Sequence, residues 1–420
     1  MKSFVLLFVF ALLGLSSATL LSYQNHALVR VRPTTEKHVQ LLDRLQNDLN
    51  LDFWTELGKE RSVDILVPPK YFVSLTSVFA RYGIESKVIN RDIQKLIDDQ
   101  LLKINDRKEA RKRAGIKAFD YENYHTYEEI VAHVSSLSGP SSVVSYSVAG
   151  ETYEGRAIPL VTVSSGGADK EAILFDCGIH AREWVSPASC LLFIEWLSTG
   201  YGVDAEITTL VDSYDWLFVV VANPDGYAYT WSDARLWRKN RVPYGSCFGT
   251  DPNRNFDSDF GGLGTSDWPC ADTYHGPSAF SEAESSAIRD IMIANEGRIL
   301  SLFSIHSYSQ LWMSPYGFTF DLPADYDEMY RVMGIGVDAL TATYGKVFEY
   351  GNIADVIYAA AGSSADYAYD THGVRYPFAL ELRDTGFYGF QLPPEQIMPT
   401  AEETFNGIKA AVSAMVSRKV

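Results

Sequence analysis

The chain has 420 residues, 46% of them hydrophobic, a formal net charge of −17 and a sequence pI near 4.9. An acidic balance of this size argues against nucleic-acid binding, which needs a basic footprint. It keeps a protein in solution and says little about a small substrate.

Lys2 followed by the apolar run Phe4 to Leu15 has the form of a secretory signal, too short to span a bilayer. The small residues Ser16-Ser17-Ala18 offer a cleavage site after Ala18. No later stretch reaches transmembrane length, so the mature protein is expected outside the cell with no membrane contact. No Asn-x-Ser/Thr triplet occurs, so N-glycosylation is not expected.

Residues 19–113 alternate short strands and amphipathic helices. Ala27 to Arg32 is predicted as a strand, Glu36 to Asn47 as a helix, and Phe53 to Thr55 and Val63 to Val67 as strands. Pro69 to Tyr82 is predicted as a helix and Lys87 to Ile89 as the last strand. This β-α-β-β-α-β order predicts a small ferredoxin-like α+β sandwich. A charged helix, Asp92 to Lys112, follows and runs into Arg111-Lys112-Arg113, a solvated connector open to proteases.

Residues 114–420 suffice for one large domain. Helical patterns at Thr126–Leu137, Ser186–Leu197, Ala205–Tyr214, Glu282–Asn295, Ala324–Tyr344 and Ala401–Val416 alternate with apolar runs. Those runs are Ala172–Phe175, Trp216–Val221, Ile299–Ile305 and Phe378–Leu380, which fit buried parallel strands. An α/β fold with a mixed, mostly parallel sheet and helices on both faces is predicted.

Polar residues stand just past these runs, where open α/β sheets place their sites. His180 and Glu183, three apart, can close on one divalent metal. His306 is a candidate third ligand, leaving the fourth tetrahedral position open as in a catalytic zinc site. Glu381 is the candidate base, and Asp251 a candidate partner for the free ring nitrogen of His180. Four cysteines in a secreted chain favour disulfides; three connectivities are open, and nearest-neighbour pairing would close two small loops.

These residues lie in His180-Ala181-Arg182-Glu183-Trp184, Leu236-Trp237-Arg238-Lys239-Asn240-Arg241, Asp251-Pro252-Asn253-Arg254-Asn255, Ser304-Ile305-His306-Ser307-Tyr308-Ser309, Ile357-Tyr358 and Glu381-Leu382-Arg383-Asp384-Thr385-Gly386. In that order, from about residue 25 to the C-terminus, the chain resembles the secreted zinc metallocarboxypeptidases of the pancreatic A and B type. The resemblance implies an eight-stranded catalytic sheet, one zinc on His180, Glu183 and His306, and Glu381 as general base and acid. It implies that Arg238 stabilises the oxyanion, that Asn253 and Arg254 grip the terminal carboxylate, and that Tyr358 closes over the pocket. Arg182, Tyr308 and Phe390 would line the subsites upstream of the scissile bond. It pairs Cys177 with Cys190, as in the B-type branch, and Cys247 with Cys270.

The implied organisation is a signal over 1–18, an activation propeptide over 19–113 cut by a trypsin-like protease after Arg113, and a catalytic domain over 114–420 acting as a monomer on peptide and protein C-termini. Ala365 would form the pocket floor, with Gly317, Ile353 and Ser363 beside it. All are uncharged, so neutral aliphatic or aromatic C-terminal residues are expected. The alternatives are B-type preference for Lys or Arg, should Asp366 face the pocket instead, a silent binding protein on the same fold, and a zinc amidohydrolase acting on non-peptides.

Overall fold

The computed structural model describes residues 20–55, 57–58, 60–139, 143–167 and 170–416. The signal reading of residues 1–18 therefore lies outside the described residues.

The first unit is built from β1 (Ala27–Arg32), α1 (Glu36–Leu49), β2 (Asp52–Phe53), β3 (Val63–Val67), α2 (Phe72–Tyr82) and β4 (Glu85–Asn90). Its strands form an antiparallel sheet in the order β2-β3-β1-β4, the predicted sandwich. Thr35 caps α1 by accepting from the His38 amide, and Asn50 ends it in the left-handed region. Strand alternation then divides the side chains. Val29, Val31, Val63 and Ile65 pack with Leu42, Leu75 and Phe79 from the helices. Leu28 and Leu66 point the other way, into a cluster with Leu236, Tyr308 and Phe390 of the large unit. β3 is thus buried along its whole length, and Asp64 lies on the face that meets the large unit.

The connector is one helix, α3 (Ile93–Arg113), which ends at the basic triplet. Ile93, Ile97, Gln100 and Ile104 form its buried stripe, at the spacing of one helix face.

The large unit comprises α4 (Tyr127–Ser136), β5 (Val144–Glu151), β6 (Ala157–Val163), β7 (Glu171–Cys177), α5 (Val185–Gly200), α6 (Ala205–Ser213), β8 (Tyr214–Val219), α7 (Pro224–Ser232), a small hairpin β9 (Pro243–Tyr244) and β10 (Cys247–Phe248), α8 (Ala283–Ala294), β11 (Ile299–Ser307), β12 (Leu311–Ser314), α9 (Tyr326–Tyr344), β13 (Glu349–Asn352), α10 (Ile353–Val356), α11 (Ser364–Asp370), β14 (Tyr376–Leu382) and α12 (Ile397–Ala414). Among the described residues its main sheet has eight strands in the order β13-β12-β14-β11-β7-β8-β6-β5. The central four, β14-β11-β7-β8, are parallel; β6, β12 and β13 run against them, and β5 runs with them.

Parallel strands need cover on both faces, and β7 and β11 have it at every position. One face is an aromatic column in which Phe175 lies 4.5 Å from Phe218 and 5.2 Å from Phe303, with Trp216 and Phe193 beyond. Cutting such a ring back to alanine costs about 3–5 kcal/mol.

Candidate active site

The four parallel strands all end at one edge. β7 reverses at Gly178, whose φ is +68° and whose missing Cβ would sit 2.8 Å from Pro187. That turn releases His180 to Trp184 across the strand ends, where Ala181 N donates to Arg238 O at 2.9 Å. β11 carries His306 and β14 carries Glu381, directly opposite each other in the parallel register.

His180, Glu183 and His306 are buried, with ligand atoms within 4.8 Å of one another. His180 Nδ1 lies 2.8 Å from Glu183 Oε1, and His306 Nδ1 lies 3.1 Å from both Glu183 Oε2 and His180 Nδ1. Zinc bonds of about 2.0–2.1 Å in a tetrahedron set donors roughly 3.3 Å apart. The 3.1 Å approach of the two Nδ1 atoms is close to that donor spacing. Burial works against the Glu183 charge, but His180 and His306 hold its carboxyl well below the usual range. Burial works against charging His306 too, yet Glu183 outweighs it and raises His306 to about 9. Donor type, spacing and appetite for positive charge all fit zinc.

The outer nitrogens are also engaged. His180 Nε2 is 3.1 Å from Asp251 Oδ1, as the sequence suggests. His306 Nε2 meets Ser304 Oγ at 2.9 Å, and that hydroxyl donates to Asp176 Oδ1 at 2.5 Å. Neither Ser304 nor Asp176 is singled out by sequence reasoning. The available signal is an aspartate closing an otherwise apolar strand.

Glu381 faces this cluster, its Oε2 enclosed and without a hydrogen-bond partner. Burial and the Glu183 charge push its carboxyl up to about 8, against His306 and Arg238. Arg238 is held by Asp251 Oδ2, at 3.1 Å from Nε and 2.7 Å from Nη2. Burial pushes the Asp251 carboxyl up, but Arg238, His180 and Arg254 together hold it far below the usual range. Asn253 Oδ1 accepts from Ser364 N at 3.0 Å, Arg254 Nε donates to Gly264 O at 2.9 Å, and the Arg254 guanidinium lies 5.7 Å from the Tyr358 ring.

These groups border a narrow, partly open cleft. Asn253, Arg254, Tyr358, Met313, Ile353, Ser363, Ala365 and Ala379 line it together with His180, His306 and Glu381. Gly317, expected in this wall, is not among the lining residues. It has no side chain to present, and its N–H donates to the Asp366 carboxylate at 2.9 and 3.0 Å. Phe318 N adds a third bond at 3.2 Å. Burial pushes Asp366 up to about 7 against those amides, and Ala365 lines the cleft whereas Asp366 does not.

Arg182, Tyr308 and Phe390 come together beside the cleft, and the small unit covers them. Arg182 Nη1 donates to Asp52 Oδ1 at 2.8 Å while its guanidinium lies 4.3 Å from the Phe390 ring. Trp54 packs 5.0 Å from Phe390 and 6.3 Å from Tyr308. Tyr308 OH donates to Asp64 Oδ2 at 2.7 Å, and Arg30 grips both oxygens of Asp64 while donating to Thr385 O at 2.8 Å. Asp52, Trp54 and Asp64 are contacts that sequence reasoning misses, because local patterning does not report which face of a small sheet meets another unit.

The disulfides join Cys177 to Cys190 and Cys247 to Cys270. The first ties the end of β7 to α5 beside the His180 turn, and the second closes the loop that carries Asp251 to Arg254. Arg113 is the last residue of α3, exposed together with Lys112 and Ala114.

Comparison with known proteins agrees with this geometry. Residues 130–407 match the family described as zinc carboxypeptidase, and residues 29–100 match the carboxypeptidase activation peptide. Carboxypeptidase A1 of Sus scrofa is 40% identical over 391 residues, 91% of this chain and 92% of that protein. Carboxypeptidase B of Homo sapiens is 38% identical over 399 residues, 93% of each. A crystal structure of carboxypeptidase A from Helicoverpa armigera superposes with a TM-score of 0.84 at 29% identity, covering 93% of this chain and 98% of that one. A structure of thrombin-activatable fibrinolysis inhibitor gives the same TM-score at 32% identity, covering 94% and 100%.

Proposed function

Because the chain belongs to the zinc carboxypeptidase family and carries its activation peptide, we propose that it is a secreted zymogen whose mature enzyme, residues 114–420, removes neutral residues from peptide C-termini. Residues 1–18 are read as the signal and 19–113 as the propeptide, released by a trypsin-like protease cutting after Arg113. The active form is read as a monomer. No helix among the described residues is long and apolar enough to cross a membrane.

Zinc on His180, Glu183 and His306 would supply a Lewis acid and bring the pKa of a bound water to about 7. Glu381 takes the water's proton on its unpartnered oxygen and returns it to the leaving amine. Arg238, pinned by Asp251, donates to the scissile carbonyl oxygen as charge builds there. The planar fork of Arg254, with Asn253, takes the terminal carboxylate, and Tyr358 closes over it. Arg182, Tyr308 and Phe390 receive the residues upstream.

The neutral preference rests on one observation. Ala365 lines the cleft, while Asp366 spends its carboxylate on the amides of Gly317 and Phe318. A Lys or Glu side chain there would be desolvated without a counter-charge, at a cost of several kcal/mol. An apolar side chain gains about 1.5–3 kcal/mol on burial. The difference corresponds to at least about a hundredfold in kcat/KM. Overall likeness does not choose between A and B types, at 40% and 38% identity. Competition between otherwise identical peptides ending in Phe and in Lys, after trypsin treatment, tests the reading. Preference for Lys would overturn it.

A further inference from the structure

Asp176 stands one residue before the end of β7 with no exposed surface. It is a carboxylate in the middle of the sheet, where an uncompensated charge is costly. Its hydrogen-bond partners are hydroxyls, Ser304 on Oδ1 at 2.5 Å and Ser364 on Oδ2 at 2.9 Å. No cationic side chain is among them. Ser304 Oγ in turn lies 2.9 Å from His306 Nε2.

We propose that Asp176 is a positioning residue for zinc, acting through Ser304 to fix the tautomer and aim of His306. The inference rests on the reading of His180, Glu183 and His306 as the ligands. An ionised carboxylate has no proton to give, so it takes the single proton of Ser304. That hydroxyl can then only accept from His306. Nε2 becomes the N–H nitrogen, and Nδ1 presents its lone pair to the cluster.

The alternative tautomer has a sponsor in the structure. Asn253 Nδ2 lies 3.4 Å from the same Nε2, and the amide cannot flip because its Oδ1 holds Ser364 N. A donor there favours an unprotonated Nε2, which would put the proton on Nδ1 and bar the metal. Asp176 therefore decides a contest between an acceptor, Ser304 Oγ, and a donor, Asn253 Nδ2, at one ring nitrogen. Its charge, linked to the metal by Ser304 and His306, also accounts for an aspartate at this depth. Partners of this kind are worth about 10–100-fold in metal affinity.

The test uses the full chain stripped of zinc and measures zinc affinity by competition with a chromophoric chelator. Asp176→Asn and Ser304→Ala should each weaken binding about 10–100-fold, and the double variant should be no weaker than the weaker single one. Ser364→Ala, whose hydroxyl donates to the other oxygen of Asp176 at 2.9 Å and reaches Ser304 Oγ only at 3.5 Å, should stay within about twofold. Affinity within twofold of wild type for Asp176→Asn, while His306→Ala loses zinc, overturns the inference and leaves the ligand assignment standing. If Asp176→Asn does not fold, unchanged affinity in Ser304→Ala overturns it equally. A Ser364→Ala effect as large as that of Ser304→Ala would move the cause to the pocket wall and also overturn it. A wild-type chain that binds no zinc would remove the ligand assignment itself, and this inference with it.

Discussion

Glu381 and His306 are neighbours in one ladder, yet they should fail in different ways. Glu381→Gln keeps the shape of the side chain and all three ligand donors, so zinc should stay. Turnover should fall by roughly three orders of magnitude or more, because both proton transfers lose their carrier. His306→Ala should lose the metal itself. Metal analysis beside a rate measurement separates the two, and a Glu381→Gln enzyme keeping a tenth of its activity would show that the base lies elsewhere. The residues proposed as ligands and base are legible in the sequence because they stand at the ends of apolar runs that read as buried strands. Asp176 is harder to find: one acid in such a strand has no spacing that says where its proton donors come from. Asp366 is legible only as an ambiguity, since it and Ala365 are adjacent positions of one helix, α11, and the amides of Gly317 and Phe318 that bond its carboxylate come from some fifty residues away.

At the scale of elements, long apolar strands and amphipathic helices are found within a few residues. The outer strands β5, β6, β12 and β13 and the helices α7, α10 and α11, none longer than nine residues, are not, because a short or half-exposed element has too little periodicity to read. The connector helix α3 bears on activation. Arg111 is engaged, donating to Ala118 O at 2.6 Å and lying 3.5 Å from Asp120, whereas Lys112 and Arg113 are exposed. Trypsin should cut first after Arg113, and N-terminal sequencing of the active product should begin at Ala114. A start inside the 120s would place the boundary elsewhere. The segment just beyond carries a pH-sensitive clamp, in which His133 stacks 3.8 Å from Phe119 and its Nε2 lies 2.8 Å from Tyr121 OH. Burial, reinforced by nearby His125, lowers His133 to about 4. A depressed histidine supports the fold while neutral. Its contribution is complete above about pH 6.5 and declines as pH falls towards 4. Protection factors for amide exchange over residues 115–125, which correct for the intrinsic pH dependence, should therefore fall between pH 6.5 and 4, and His133→Gln should flatten that dependence. An unchanged profile in the variant would clear His133 of the role.

For the whole molecule, the two units meet where the enzyme would hold its substrate's upstream residues. The cleft beneath Tyr358 is lined by residues of the large unit alone, so the small unit blocks the approach rather than the pocket. Trp54 is the large apolar piece of that contact, packed on Phe390 and Tyr308. Trp54→Ala should raise the activity of the uncut chain on long peptides by about tenfold or more, since about 1.4 kcal/mol lost from docking already gives that factor. The same variant, once cut by trypsin, should match the wild-type mature enzyme. No gain in the uncut chain would mean that the Asp52–Arg182 ion pair and the hydrogen bonds of Tyr308 to Asp64 and of Arg30 to Thr385 O suffice to hold the units together.

The pairing of His306 with Glu381 across β11 and β14 has one more consequence. Side chains alternate along a strand, so a shift of one residue would turn Glu381 to the opposite face of the sheet. Partial sliding cannot carry the base slightly out of place: it stands beside the ligand or behind the sheet. The strands that set this lie at the centre of the sheet, between β12 and β7, with no free edge from which to fray. Loss of catalytic alignment by this route therefore requires opening the best-packed part of the molecule. Heat inactivation of the mature enzyme should be all-or-none, following the melting of the sheet instead of preceding it.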